Sequence, residues 1–182
     1  VKIYTKKGDD GTTGLLFGGR VRKDSHRIET NGAVDEAQAA LGLARAEVDP
    51  ESSLDKMLIG LERDLWVLMA ELATDESNRH KLEPGKTLVT AEMVVALEAS
   101  IDEVAEKTEM PSEFVVPGQT RLSAALDYAR TVVRRAERLA ITLAPEGSQV
   151  VPYLNRLSDL CWMLARRQEG EHLLSRGEAP LS

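Results

Sequence analysis

Between Leu122 and Leu143 the apolar residues Leu122, Leu126, Ala129, Val133, Ala136, Ala140 and Leu143 recur at steps of three and four. Only a helix with one buried face satisfies such a stripe, and Pro145 and Gly147 end it. The pattern repeats along the chain. Val34, Ala37, Leu41, Ala44 and Val48 predict a helix from about Arg27 to Val48, stopped by Pro50. Leu54, Leu58, Leu61, Leu65, Leu68 and Leu72 predict a second, capped by Ser52 or Ser53. Thr90, Glu92, Val94, Leu97, Ile101 and Val104 predict a third, limited by Pro111. Val150, Leu154, Leu157, Cys161, Leu164 and Ala165 predict a fifth. The expectation is an all-α chain forming a five-helix bundle, with helices crossing at a shallow left-handed angle. Aromatics are only 4% of the 182 residues, which suits aliphatic helix packing better than a β-sandwich.

The opening segment does not fit that pattern. Six glycines, Gly8, Gly11, Gly14, Gly18, Gly19 and Gly32, are interleaved with Thr, Lys and Asp, and only Lys2 to Thr5 suits a short strand. A loop this long in a compact domain is functional or disordered. The expected organisation is one domain over 1–182: a Gly-rich loop at 1–24, the helical bundle at 25–168 and a tail at 169–182.

The net charge of −7 argues against a general nucleic-acid binder or an anionic-membrane binder, so any anion site has to be local. The lone Cys161 forms no intrachain disulfide, and His26, His80 and His172 are too scattered for a zinc cluster. With no long apolar run, these features lead to the expectation of a cytoplasmic chain.

Four constellations carry chemistry. In the loop, Thr5 to Thr13 combine flexible backbone, hydroxyls and the ammonium groups of Lys6 and Lys7, as wrapping a polyphosphate requires. Asp9 and Asp10 suit a magnesium ion held through water; the same residue types are also ordinary turn formers. Arg130, Arg134, Arg135 and Arg138 crowd the fourth helix beside its apolar stripe and call for anionic partners. These are either a ligand or carboxylates such as Asp127, Glu137, Asp35 and Glu36. Phe114, held between Pro111 and Pro117, suits either a wedge against a ligand or a plug for one end of the bundle. Asn155, with Arg156 and Asp159, suits either a helix cap or a ligand contact.

In this order IYTKKGDDGTTGL, RVRKDSHRIETNGAVDEAQAALG, FVVPGQT, ARTVVRRAER and YLNRLSDL span nearly the whole chain, which resembles the PduO-type ATP:cob(I)alamin adenosyltransferases. The resemblance implies a five-helix, ferritin-like bundle that assembles as a homotrimer with active sites between subunits. It also implies transfer of the 5′-deoxyadenosyl group of ATP to the cobalt(I) of a reduced corrinoid, with magnesium, releasing triphosphate. By the same resemblance Thr5, Lys6, Lys7, Gly8, Thr13, Gly14 and Lys23 bind nucleotide, as do Arg134, Arg135, Ala136, Glu137, Arg138 and Asn155. Arg134 approaches the phosphates, Phe114 occupies the lower face of the corrin in place of the dimethylbenzimidazole base, and Asp35 pairs with Arg130 across the subunit interface. Arg134, Phe114 and Asn155 are the residues expected to carry catalysis. No direct protein ligand to magnesium is implied. A cobalamin-reducing flavoprotein and an adenosylcobalamin-dependent enzyme are compatible partners. Two positions depart from the family pattern: Gln119 follows Gly118 where a second glycine is common, and Asp127 stands where histidine is frequent. A non-catalytic trimeric sensor of nucleotide or corrinoid is the alternative reading.

Overall fold

Helix starts follow the capping chemistry. In the computed structural model, which describes residues 2–176, Ser52 Oγ accepts from the backbone N–H of Asp55 and opens α2 (Ser53–Leu72). Thr90 does the same for α3 (Ala91–Ala105), and Thr120 and Ser123 form a reciprocal capping box at the start of α4 (Arg121–Ala140). The remaining helices are α1 (His26–Arg45) and α5 (Val150–Arg167), and a short 3-10 helix covers Glu76–Lys81.

α1 stops three residues before the expected Val48. Glu47 and Val48 donate to Ala44 and Arg45 in a tighter i→i+3 turn, so the apolar spacing continues after α-helical bonding has ended. α4 ends at Ala140 in the same way, and its last stripe residue, Leu143, lies in the following turn.

α4 packs between α1 and α5, α2 lies against α1, and α3 lies against α5. The facing stripes of α1 (Ala33, Ala37, Ala40, Ala44) and α4 (Ala129, Ala136, Ala140) are buried and small, which lets their backbones come close. Leucines fill the remainder: Leu41, Leu58, Leu65, Leu68, Leu126, Leu154, Leu157 and Leu160 are fully buried, each contributing about 1.5–3 kcal/mol.

The opening segment corrects two expectations. Lys2 to Thr5 form no strand, whereas β1 (Thr12–Gly14) pairs antiparallel with β2 (Arg20–Arg22), in register Thr13 to Val21. The chain is therefore mainly helical with a small two-stranded sheet rather than purely α. The hairpin is tethered where Leu16 N–H donates to Ala73 O at 2.9 Å. Part of the expected tail is also built into the fold. Glu169 is buried, and Leu174 bridges Val115 in an antiparallel contact. Residues 177–182 of that tail lie outside the described residues.

The molecule has two distinct ends. At one, His26 Nε2 lies 2.7 Å from Thr142 Oγ1 and 3.0 Å from Leu139 O, so the start of α1 meets the end of α4. Arg27 donates there to Leu72 O and Thr74 O, binding carbonyls that the end of α2 leaves free. At the other end Arg45 pairs with Asp55, and Arg166 near the end of α5 pairs with Asp127 near the start of α4.

Candidate functional site

The Gly-rich opening loop lies at the first end, since it leads directly into α1 and is tied to the end of α2. Its internal order comes from Arg20, whose Nη2 donates to Lys7 O and to Thr12 Oγ1, both at 2.6 Å. Asp10 accepts from the Thr12 hydroxyl at 2.8 Å and from its N–H at 2.9 Å. Those bonds, first the hydroxyl, hold the Asp10 carboxyl below the usual carboxylate range. Asp10 is thus committed to shaping the turn. Gly8 is closely packed: a Cβ there would stand 3.0 Å from Lys23 Nζ and 3.1 Å from Thr12 O. The Lys23 ammonium therefore passes directly over the loop backbone. Lys6 adopts a positive φ of 58°, and its ammonium lies 6.0 Å from the centre of the Tyr4 ring. Thr5, Lys6, Lys7 and Gly14 are exposed, Gly8 is half-buried, and Thr13 and Lys23 lie in the hairpin and just after it.

On α4 the four arginines have different fates. Arg135 is paired with Glu36 of α1, which holds its guanidinium above the ordinary range. Arg130 is half-buried, with Nε 3.5 Å from Asp127 Oδ1, and that Nε is buried without a hydrogen-bond partner. Arg134 and Arg138 are exposed and have no carboxylate partner among the described residues; Arg138 donates only to Arg134 O. Of the anticipated partners Glu36 and Asp127 are used. Asp35 stands exposed on α1 with no intrachain pair, and Glu137 accepts instead from Asn155 Nδ2 at 2.9 Å. Arg156 donates to Asn155 and to Glu98, so Asn155 sits in a relay between α4 and α5, a turn inside α5 rather than at its cap. Ala136 is fully buried. Its side chain is part of the hydrophobic core.

Phe114 lies at the opposite end and is 87% exposed, so it plugs nothing among the described residues. It flanks a cleft of about 650 Å³ lined also by Val115, Pro117, Asp127, Arg130, Trp162 and Arg166. Gly118 has a φ of 114°, which a side chain rarely adopts, whereas Gln119 has no such need. The turn into α4 therefore tolerates that departure. Asp127, the other departure, is buried and accepts from Arg166 at 2.5 Å.

Sequence reasoning missed the group beneath the cleft. Arg166 donates through Nε and Nη2 to both oxygens of Glu169, at 2.9 and 2.7 Å, and stacks 5.6 Å from the Trp162 ring. Glu169 also faces His172 Nδ1 at 3.0 Å. The only sequence signal was an Arg and a Glu three apart at the end of a helix. Cys161 is a core residue, its thiol pushed up to about 12 by burial.

The sequence profile of the cobalamin adenosyltransferase family matches residues 3–168. The chain belongs to that family. It is 37% identical over 172 residues to the corrinoid adenosyltransferase PduO of Salmonella typhimurium, covering 93% of this chain but only about half (50%) of that longer relative. With the corrinoid adenosyltransferase of Citrobacter freundii it shares 39% identity over 174 residues, 92% of this chain and 95% of the relative. Among solved structures, it matches an arginine-to-lysine variant of a PduO-type ATP:corrinoid adenosyltransferase from Lactobacillus reuteri complexed with ATP. That match has a TM-score of 0.82, 29% identity and coverage of 96% of this chain and 100% of the other. A phenylalanine-to-histidine variant from the same organism, complexed with cobalamin and ATP, matches with a TM-score of 0.84 and 30% identity, covering 97% of each chain.

Proposed function

We propose that this chain transfers the 5′-deoxyadenosyl group of ATP to the cobalt of a reduced corrinoid. Cobalt(I) attacks C5′ of the ribose, a Co–C bond forms, the C5′–O bond breaks, and triphosphate leaves. Cobalt(I) is itself a strong nucleophile, so the protein's work is alignment and stabilisation of a highly charged leaving group. In this reading the residues that bind nucleotide are Thr5, Lys6, Lys7, Gly8, Thr13, Gly14 and Lys23 with Arg134, Arg138 and Asn155. Glu137 orients Asn155, and Arg135 braces α4 on α1. Phe114 takes the lower face of the corrin. Magnesium arrives on the triphosphate. Asp10 is occupied by Thr12, and no cluster of three Asp, Glu, His or Cys suited to a metal occurs among the described residues.

The observation that carries the reading is the pairing of an exposed, unpartnered Arg134 with an 87% exposed Phe114. A free guanidinium suits an anion and a free ring suits a flat apolar face. Within one chain these features belong to different ends. α4 has 20 residues and spans about 30 Å, with the loop lysines beyond its last turn and Phe114 before its first. A complete site therefore favours assembly between chains, as in a homotrimer of five-helix bundles, with Asp35 and Arg130 pairing across the interface. A cytoplasmic location, one domain over 1–182, a flavoprotein supplying cobalt(I) and an enzyme using the product go with this proposal. No helix among the described residues is long and apolar enough to cross a membrane.

The test is anaerobic: chemically reduced cobalamin, magnesium and ATP with the protein, watched for the light-sensitive adenosyl product and its co-product. One triphosphate per adenosylcobalamin is expected. Orthophosphate or AMP as the main product would refute C5′ attack, and tight binding of both substrates without transfer would leave a sensor.

A further inference from the structure

The loop that carries Phe114 is held almost entirely from one side. Among the described residues, the hydrogen bonds of residues 109–119 run to the segment that follows α5. Val116 N–H donates to Leu173 O at 2.7 Å, and Ser175 N–H donates to Phe114 O at 2.7 Å, flanking the Val115–Leu174 bridge. His172 Nε2 lies 3.2 Å from Glu109 O. Phe114 is thus the first residue of a short strand pair whose partner strand is Leu173 to Ser175.

That partner strand has a buried anchor. Glu169 is held by two bonds from Arg166, itself fixed to Asp127 of α4, and its carboxylate faces His172 Nδ1. Both atoms facing the imidazole, a carboxylate oxygen and a carbonyl oxygen, are acceptors, so the ring nitrogen that carries hydrogen donates across its contact. The sequence of contacts runs from α4 through Arg166, Glu169 and His172 to the loop backbone.

We propose that His172 is a positioning residue for Phe114, clamping the Phe114 loop to the Leu173–Ser175 strand so that the ring is presented at a fixed height beside the cleft. This rests on the reading of Phe114 as the corrin's lower-face residue. The aromatic ring on an exposed loop displaces a competing base only if its position is set beforehand, since a mobile loop spends binding energy on ordering. His172 is accessible enough to be replaced without opening the core, its side chain being 17% exposed.

The experiment compares His172→Ala, Phe114→Ala and the double variant in the full chain. Three readouts are needed: amide hydrogen exchange at Val116, kcat and KM with cobalamin and with cobinamide from cobalt(II), and the melting temperature. His172→Ala is expected to speed exchange at Val116 and to lower kcat with cobalamin about three- to tenfold, the range of one lost hydrogen bond. The KM for ATP should stay unchanged. Cobinamide, which has no lower base to displace, should be affected much less. In the Phe114→Ala background the same substitution should cost no further activity. Unchanged exchange at Val116 overturns the clamp. Equal losses on both corrinoids in His172→Ala, while Phe114→Ala remains selective for cobalamin, overturn the positioning role alone. Equal losses on both corrinoids in Phe114→Ala remove the lower-face reading, and the positioning role falls with it.

Discussion

Arg134 and Arg135 are neighbours in sequence with different electrostatic situations. Arg135 is committed to Glu36, whereas the exposed Arg134 guanidinium has no carboxylate partner among the described residues. In the proposed function that exposed cation, on a helix already crowded with arginines, meets the phosphates of ATP. Arg134→Ala is expected to lower kcat/KM for ATP about ten- to a hundredfold, the equivalent of about 1.5–3 kcal/mol for one charge-assisted contact. Steady-state kinetics on the folded variant check this, and normal ATP kinetics would remove Arg134 from the phosphate site. A second residue tests the core instead of the site. Asp64 of α2 accepts from the buried Tyr153 hydroxyl at 2.8 Å, and burial raises its pKa from 3.8. The same burial, with Asp64 beside it, holds the Tyr153 phenol well above its ordinary range. Because the folded chain binds the Asp64 proton more tightly than the unfolded chain, this group favours folding below about 3.8. That contribution is lost as pH rises through the raised value. Asp64→Asn keeps an acceptor for Tyr153 without the charge. Its melting temperature should exceed the parent's at pH 7, with the gain shrinking towards pH 3.5. A loss at pH 7 would mean that the carboxylate is compensated by something other than Tyr153.

At the scale of elements, α4 depends on how it begins. The capping box of Thr120 and Ser123 satisfies donors at its N-terminus and fixes the distance between Gly118 and the first helical turn, hence the approach of the Phe114 loop. Thr120→Ala is expected to cost about 1 kcal/mol in denaturant unfolding while leaving cobinamide turnover close to normal. A neutral effect would show the box to be redundant. The caps Ser52 and Thr90, and every apolar stripe, were legible because helical periodicity is a local signal that each segment carries alone. The hairpin was not, because strands of three residues such as Thr12–Gly14 are too short for an alternating pattern. The 3-10 helix at Glu76–Lys81 has no apolar face to announce it; its start depends on Asp75 accepting from Ser77. The segment after α5 reads as a tail since its order comes from non-local pairing with Val115 and from a buried carboxylate, neither of which leaves a periodic trace. The same limit applies to the site. Arg134, Asn155 and the loop lysines were visible as residue types, but the local group of Arg166, Glu169 and His172 is tied to the fold through Asp127 and Glu109, both far along the chain.

At the scale of the whole molecule, the distance between the loop lysines and Phe114 becomes the central constraint. α1 and α4 run antiparallel, as the His26 contact with Leu139 and Thr142 requires, so the segment before α1 and the segment before α4 emerge at opposite ends. No small hinge brings them together without unpacking the alanine faces between the two helices. Cobalt and C5′ nevertheless have to come within reacting distance. In the proposed trimer a ring of identical chains meets through two different faces, and the loop of one chain then meets the Phe114 end of the next. The consequence is measurable by mixing. Lys7→Ala damages only the loop, and Phe114→Ala damages only the other end. Each homo-oligomer should be poor with cobalamin. When the two are unfolded, mixed in equal amounts and refolded together, one junction in about four combines an intact loop with an intact Phe114, so about a quarter of the parental activity should return. Sedimentation of the mixture has to show the same assembly as the parent. Activity no higher than the average of the two variants, in a properly assembled mixture, would place both halves of the site in a single chain and contradict the two-ended geometry.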